Sequence, residues 1–121
     1  MTDAPGEVDA FLAALEPSVA APLRRIVEVA RATVPGLGQG RSYGMPALTH
    51  RGKAVLGFGV RGSHVSVAPF SGTAIAAAGA PLAGLDVTKG SVRLPLGEGM
   101  PDDAVVALLA ARVAEVEAAL R

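Results

Sequence analysis

Two histidines, one tyrosine and no cysteine hold most of the versatile chemistry in this chain of 121 residues. Without cysteine there is no disulfide, no thiolate-bound iron–sulfur cluster and no thiol nucleophile. His50 and His64 stand fourteen residues apart with no acidic residue near either, whereas transition-metal sites gather their His, Cys and carboxylate ligands closely. Each is read as structural or solvent-facing. Only convergence across a sheet would let the pair hold a metal or relay protons. The carboxylates fall near helix starts and ends: Asp3, Glu7 and Asp9; Asp102 and Asp103; Glu115 and Glu117. Capping and solvation account for them, and the N-terminal group leaves hard-cation or iron binding open. The serines have no paired base and orienting acid, so no triad is formed. That leaves Ser42 beside Tyr43, in the stretch RSYGMP. Tyr43 is expected half-buried with its hydroxyl hydrogen-bonded, not as a catalytic acid. No group is visibly poised for acid–base work, so the expectation is a non-catalytic protein.

Gly57, Gly59 and Gly62 spell G-x-G-x-x-G. The dinucleotide chemistry of that motif needs a strand before the turn and a helix after it, so that pyrophosphate meets free N–H groups. Here the glycines lie in a β-rich run and its hairpin, with more β pattern following. Such glycines let another backbone or a ligand come close. The GLGQG run, Gly36 to Gly40, follows a helix and lacks the Lys-Ser/Thr of a phosphate loop, so it is read as a connector.

The elements that must carry these residues follow from periodicity. Val8, Phe11, Leu12 and Leu15 recur at helical spacing, and Pro17 interrupts them. A second helix is predicted to start near Ser18 to Ala21, with Pro22 in its first turn and Leu23, Ile26, Val27, Ala30 and Val34 on its buried side. PGLGQG, residues 35–40, ends it. Residues 55–67 hold two alternating runs joined by Arg61-Gly62-Ser63, a hairpin signal. Alternation sends Leu56, Phe58, Val60, Val65 and Val67 to one face and Lys53, Gly57, Gly59, His64 and Ser66 to the other. SVRLPL repeats the pattern, with Val92, Leu94 and Leu96 opposite Ser91 and Arg93. Gly44 and Pro46 bend the chain at a corner of the sheet. SGTAIAAAGA is predicted to be a short helix with Ser71 as cap. A last helix opens at Pro101 with a stripe of Val105, Leu108, Leu109, Val113, Val116 and Leu120. The prediction is one α+β domain over 1–121, an antiparallel sheet covered on one face by N- and C-terminal helices.

Half of the residues are apolar and 18% are charged, so disorder is unexpected. Only Phe11, Tyr43, Phe58 and Phe70 are aromatic, too few for the stacking platforms of single-stranded nucleic acid. No apolar run reaches the ~18–20 residues of a membrane span. The acidic start MTDAPGEVDA is unlike a secretory signal, and a cytoplasmic location is expected. The net charge is zero but uneven: residues 35–96 carry six bases against Asp86 alone, while both ends are acidic. A basic centre repels iron ions and attracts anions.

VDAFLAAL, SYGMPAL (Ser42 to Leu48), the RGK turn (Arg51 to Lys53), SHVSVAP, TKGSVRLPL and MPDDAV together resemble the YdhG-like family, small intracellular domains that include a frataxin-like bacterial iron chaperone. The resemblance spans nearly the whole chain, and SYGMP is its most specific part. It implies terminal helices around an antiparallel sheet, and iron handling without catalysis. The residues themselves suggest an alternative, a module binding a small anion through Ser42, Tyr43, Lys53, His64, Lys89 and Arg93 on an open, glycine-rich sheet face. A homodimer formed through that face is the third expectation. The expected partners are therefore a small anion or metal ion and a second copy of the chain, with neither nucleic acid nor membrane.

Overall fold

The computed structural model describes residues 6–121; Asp3, part of the N-terminal acidic group, lies outside them. Turn chemistry organises the first four strands, β1 (Gly38–Ser42), β2 (Met45–His50), β3 (Lys53–Arg61) and β4 (His64–Ala68). Tyr43 and Gly44 link β1 to β2 at φ 51° and 75°, and Arg51 and Gly52 link β2 to β3 at 53° and 80°. Two successive residues at positive φ make the hairpin turn whose twist matches that of paired strands. In the third link, Gly62-Ser63, only Gly62 is at positive φ, 60°, the variant with glycine first. After β4 the chain leaves through α3 (Gly72–Ala78), whose first turn is capped by Ser71 Oγ accepting from the Ala74 N–H at 3.1 Å. It returns through β5 (Asp86–Val87) and β6 (Val92–Pro95) to complete a six-stranded antiparallel sheet of order β1-β2-β3-β4-β6-β5.

Helices α1 (Glu7–Ala13), α2 (Pro17–Thr33) and α4 (Asp102–Ala119) build the layer on one face. α1 packs on β1 and β2, and α4 packs on β3 and holds α2 and α3 against itself. The core joins Leu48, Leu56, Phe58, Val65, Val67, Val92 and Leu94 of the sheet to Leu23, Ile26, Val105, Leu108 and Leu109 of the helices, all at most 2% exposed. Apart from small differences at their ends, the helices and the predicted hairpin lie where periodicity placed them. No helix among the described residues is long and apolar enough to cross a membrane.

Four local expectations are corrected. Pro17 opens α2 instead of preceding it, which leaves Pro22 in the second turn. Gly38, Gln39 and Gly40 belong to an edge strand, not a connector. Thr49 crowds that strand: a Cβ on Gly38 would lie 2.8 Å from its Oγ1, so a residue of low strand propensity is the one that fits. Leu96 lies beyond β6 and is exposed. Finally, a bulge shifts the β2–β3 register, with Leu48 opposite Leu56 but Thr49 opposite Ala54. The extra residue, Val55, is fully buried, and Lys53 comes opposite His50 instead of continuing the Gly57–Gly59 side.

Candidate functional site

On the face away from the helices, register groups Thr49 with Gly38, Ala47 with Gly40 and Gly57, and Ser66 with Gly59 and Arg93. The centre of this face is not bare. The Phe70 ring lies against Gly57, where a Cβ would be 2.4 Å from its Cζ, and Met45 lies beside Gly59. Ala47, Ser66 and Ala68 are buried there. The expectation of one open cationic surface is therefore corrected, since the chain's own apolar groups divide it.

On the β1–β2 side of this divide an open groove of about 520 Å³ runs to the β2–β3 turn, lined among others by Gly40, Ser42, Tyr43 and Phe70. Lys53, which shares His50's side of the ladder, and Arg112 of α4 line it at the turn end. Its aromatic wall is Tyr43 and Phe70, with ring centroids 6.1 Å apart and planes at 19°. Both residues stand at positive φ, 51° and 61°, a region that costs an L-residue about 1 kcal/mol or more. Tyr43 is 88% exposed, not half-buried as expected, because the tight turn aims it outward.

The charges around the groove are positive. Arg41 is held by Glu7 at 2.9 Å and donates to the Gly44 carbonyl at 2.7 Å. Arg112 reaches over from α4, and its Nε and Nη2 each donate to the Ala54 carbonyl at 3.1 Å, beside the bulge. Arg112 also meets Glu115 at 3.4 Å. Lys53 is exposed and makes no ion pair among the described residues. Among the described residues no carboxylate lines the groove.

The other predicted site residues lie elsewhere. His64 and Arg93 line a separate depression of about 260 Å³ with Ser63, Asp86, Leu94 and Pro95, and Asp86 pairs with Arg93 at 3.4 Å. Lys89 sits in the turn closed by Thr88 and Ser91 and lines neither hollow. The six residues expected to bind an anion thus split: Ser42, Tyr43 and Lys53 line one groove, His64 and Arg93 form a second pair, and Lys89 stands apart. The bulge, the Phe70 cover and the length of the β4–β6 excursion separate them. Arg112 and Phe70, missed as site residues, carried one signal each: an isolated base in an apolar helix and an aromatic after Pro69.

The histidines do not converge either. His50 Nε2 lies 2.6 Å from Glu117 Oε1, and Arg51 Nη1 lies 2.9 Å from Oε2. A carboxylate can only accept, so Nε2 carries the proton. The hydrogen bond from His50 lowers the Glu117 carboxyl below the ordinary range; partial burial opposes this and Arg51 assists it. An acidic partner sixty-seven residues away was invisible in the sequence. Glu7 pairs with Arg41, Asp9 with Gln39 and Arg31, and Asp102 with Arg25. Among the described residues no three His, Asp or Glu gather as a metal would need.

A helix-backed, six-stranded antiparallel sheet with a cation-rimmed groove along its β1–β2 side defines an α+β domain of a recognised architecture. The chain is similar to the crystal structure of YdhG from Bacillus subtilis, a protein of the DUF1801 family. The TM-score is 0.76 at 20% identity, over 92% of this chain and 91% of that one. At that identity the likeness establishes a shared fold. No protein-family model and no curated protein matches the chain.

Proposed function

We propose that this protein is a divergent YdhG-like domain that acts as a small, non-enzymatic, cytoplasmic binding protein, and that its ligand is an anion held in the groove at Lys53. The carrying observation is a hollow rimmed by Arg41, Lys53 and Arg112 with no carboxylate of the described residues in its lining. Lys53 is the member of that rim that makes no ion pair among the described residues, and Gly40 and Gly52 leave backbone accessible in the lining. Isothermal titration with acetate and inorganic phosphate tests this. Saturable binding that Lys53→Ala weakens several-fold is expected; equal heats in both proteins would reject the placement.

Iron chaperoning, the frataxin-like role, has less support on these residues. The carboxylates Glu7 and Asp9 are engaged with Arg41, Gln39 and Arg31, and a cation approaching the groove meets like charge. Ferrous iron titrated into the same protein should give no saturable heat. Self-association is a second reading, moved from the covered sheet face to β1, Gly38–Ser42, an outer strand whose far side pairs with no strand of the described residues. Light scattering at micromolar concentration decides it, and a strict monomer counts against it.

A further inference from the structure

We infer that the groove takes a planar aromatic carboxylate, with its ring against the Tyr43–Phe70 pair and its carboxylate toward Lys53; this rests on the anion-binding role proposed above. Two of the chain's four aromatic residues form this one wall. Neither is there to fill the core: Tyr43 is 88% exposed and Phe70 only half-buried. Tyr43 takes its positive φ from the hairpin turn, whereas Phe70, outside any hairpin, is held at φ 61°, and such strain persists where the surroundings over-determine it. Gly57 shows how the surroundings do so. The Phe70 ring occupies the space any side chain at Gly57 would need, so the sheet provides a seat for that ring. The rings are close to parallel, at 19°, and Tyr43 leaves its surface to solvent. A flat apolar surface facing water beside a cationic rim matches a ligand that is flat and apolar at one end and negative at the other.

The probes are benzoate, cyclohexanecarboxylate (equal charge, no flat π face), benzyl alcohol (ring without charge) and inorganic phosphate. Binding is followed by calorimetry and by the ring resonances of the single tyrosine. Benzoate is expected to bind about three- to tenfold more tightly than cyclohexanecarboxylate and to shift the Tyr43 ring signals, whereas benzyl alcohol binds weakly. Tyr43→Ala should abolish the preference, and Tyr43→Phe should retain it. Because Tyr43 is exposed and alanine meets the same backbone restriction, the alanine variant tests recognition apart from folding. If cyclohexanecarboxylate and phosphate bind as well as benzoate, and Lys53→Ala weakens all three, the aromatic inference is overturned while the anion groove stands. If no anion binds, both fall. A benzoate preference that survives in Tyr43→Ala and Phe70→Ala also overturns it.

Discussion

A single methyl added at Gly57 should report on how the sheet holds the aromatic wall. The new carbon would lie 2.4 Å from Phe70 Cζ and 2.9 Å from Cε2, inside the roughly 3.5–4.0 Å at which carbon atoms attract. The ring must withdraw by about 1 Å or more to reach that range. Overpacking of this kind costs about 1–3 kcal/mol, and parting from Tyr43 forfeits about 0.5–1.5 kcal/mol. Against this, alanine loses less backbone freedom than glycine on folding, a gain of about 0.5–1 kcal/mol. The losses win, and Gly57→Ala should be destabilised by about 1–2 kcal/mol, or about 4–8 °C in Tm. Gly59→Ala is the control, since the nearest atom there is Met45 Sδ at an ordinary 3.5 Å; it should be neutral or slightly stabilising. Urea denaturation read by circular dichroism measures both, and Tyr43 emission reads the ring pair. The combination Gly57→Ala with Phe70→Leu should recover part of the loss. If Gly57→Ala is as mild as Gly59→Ala, Phe70 is not seated on Gly57 as described.

Arg112→Met should lower stability by about 1.5–3 kcal/mol in denaturant, because two charge-assisted bonds to the Ala54 carbonyl vanish; Arg112→Lys should restore a fraction. Phe58→Ala, at a fully buried position, should cost about 3–5 kcal/mol by the same measurement. Glu117 has a lowered pKa, so its stabilisation is complete above the unfolded carboxyl value and is lost as pH falls through the folded one. The stability advantage of the native protein over Glu117→Gln should hold from pH 7 to about 5 and shrink below about pH 4. A difference unchanged down to pH 3 would contradict this linkage.

Much of this fold was legible because it obeys local rules. The stripe from Val105 to Val116 gave α4, Ser71 gave the cap of α3, and Gly62 gave its hairpin. Residues whose position depends on distant partners were not legible. The bulge at Val55 changes the parity of β3 without any local sign, and Lys53 changes company with it. Gly38 and Gly40 belong to a strand through their pairing with Thr49 and Ala47 of β2, and at Gly38 Thr49 occupies the space a side chain would need. The same reason divides the candidate site. Ser42 and Tyr43 adjoin one turn and were paired correctly, whereas grouping Lys53 with His64 and Arg93 required the open face to be continuous, and Phe70 interrupts it.

The meander's apolar underside is completed by α4, which begins some thirty residues beyond the end of β4 and ends about fifty beyond it. During synthesis, at roughly 5–20 residues per second, the finished hairpins must therefore wait about 2–8 s for Val105, Leu108 and Leu109 to emerge from the ribosome. A nascent chain halted at Gly99 would leave Leu56, Phe58 and Val67 without their α4 cover, and such arrested chains should be the form of this protein that chaperones hold most firmly.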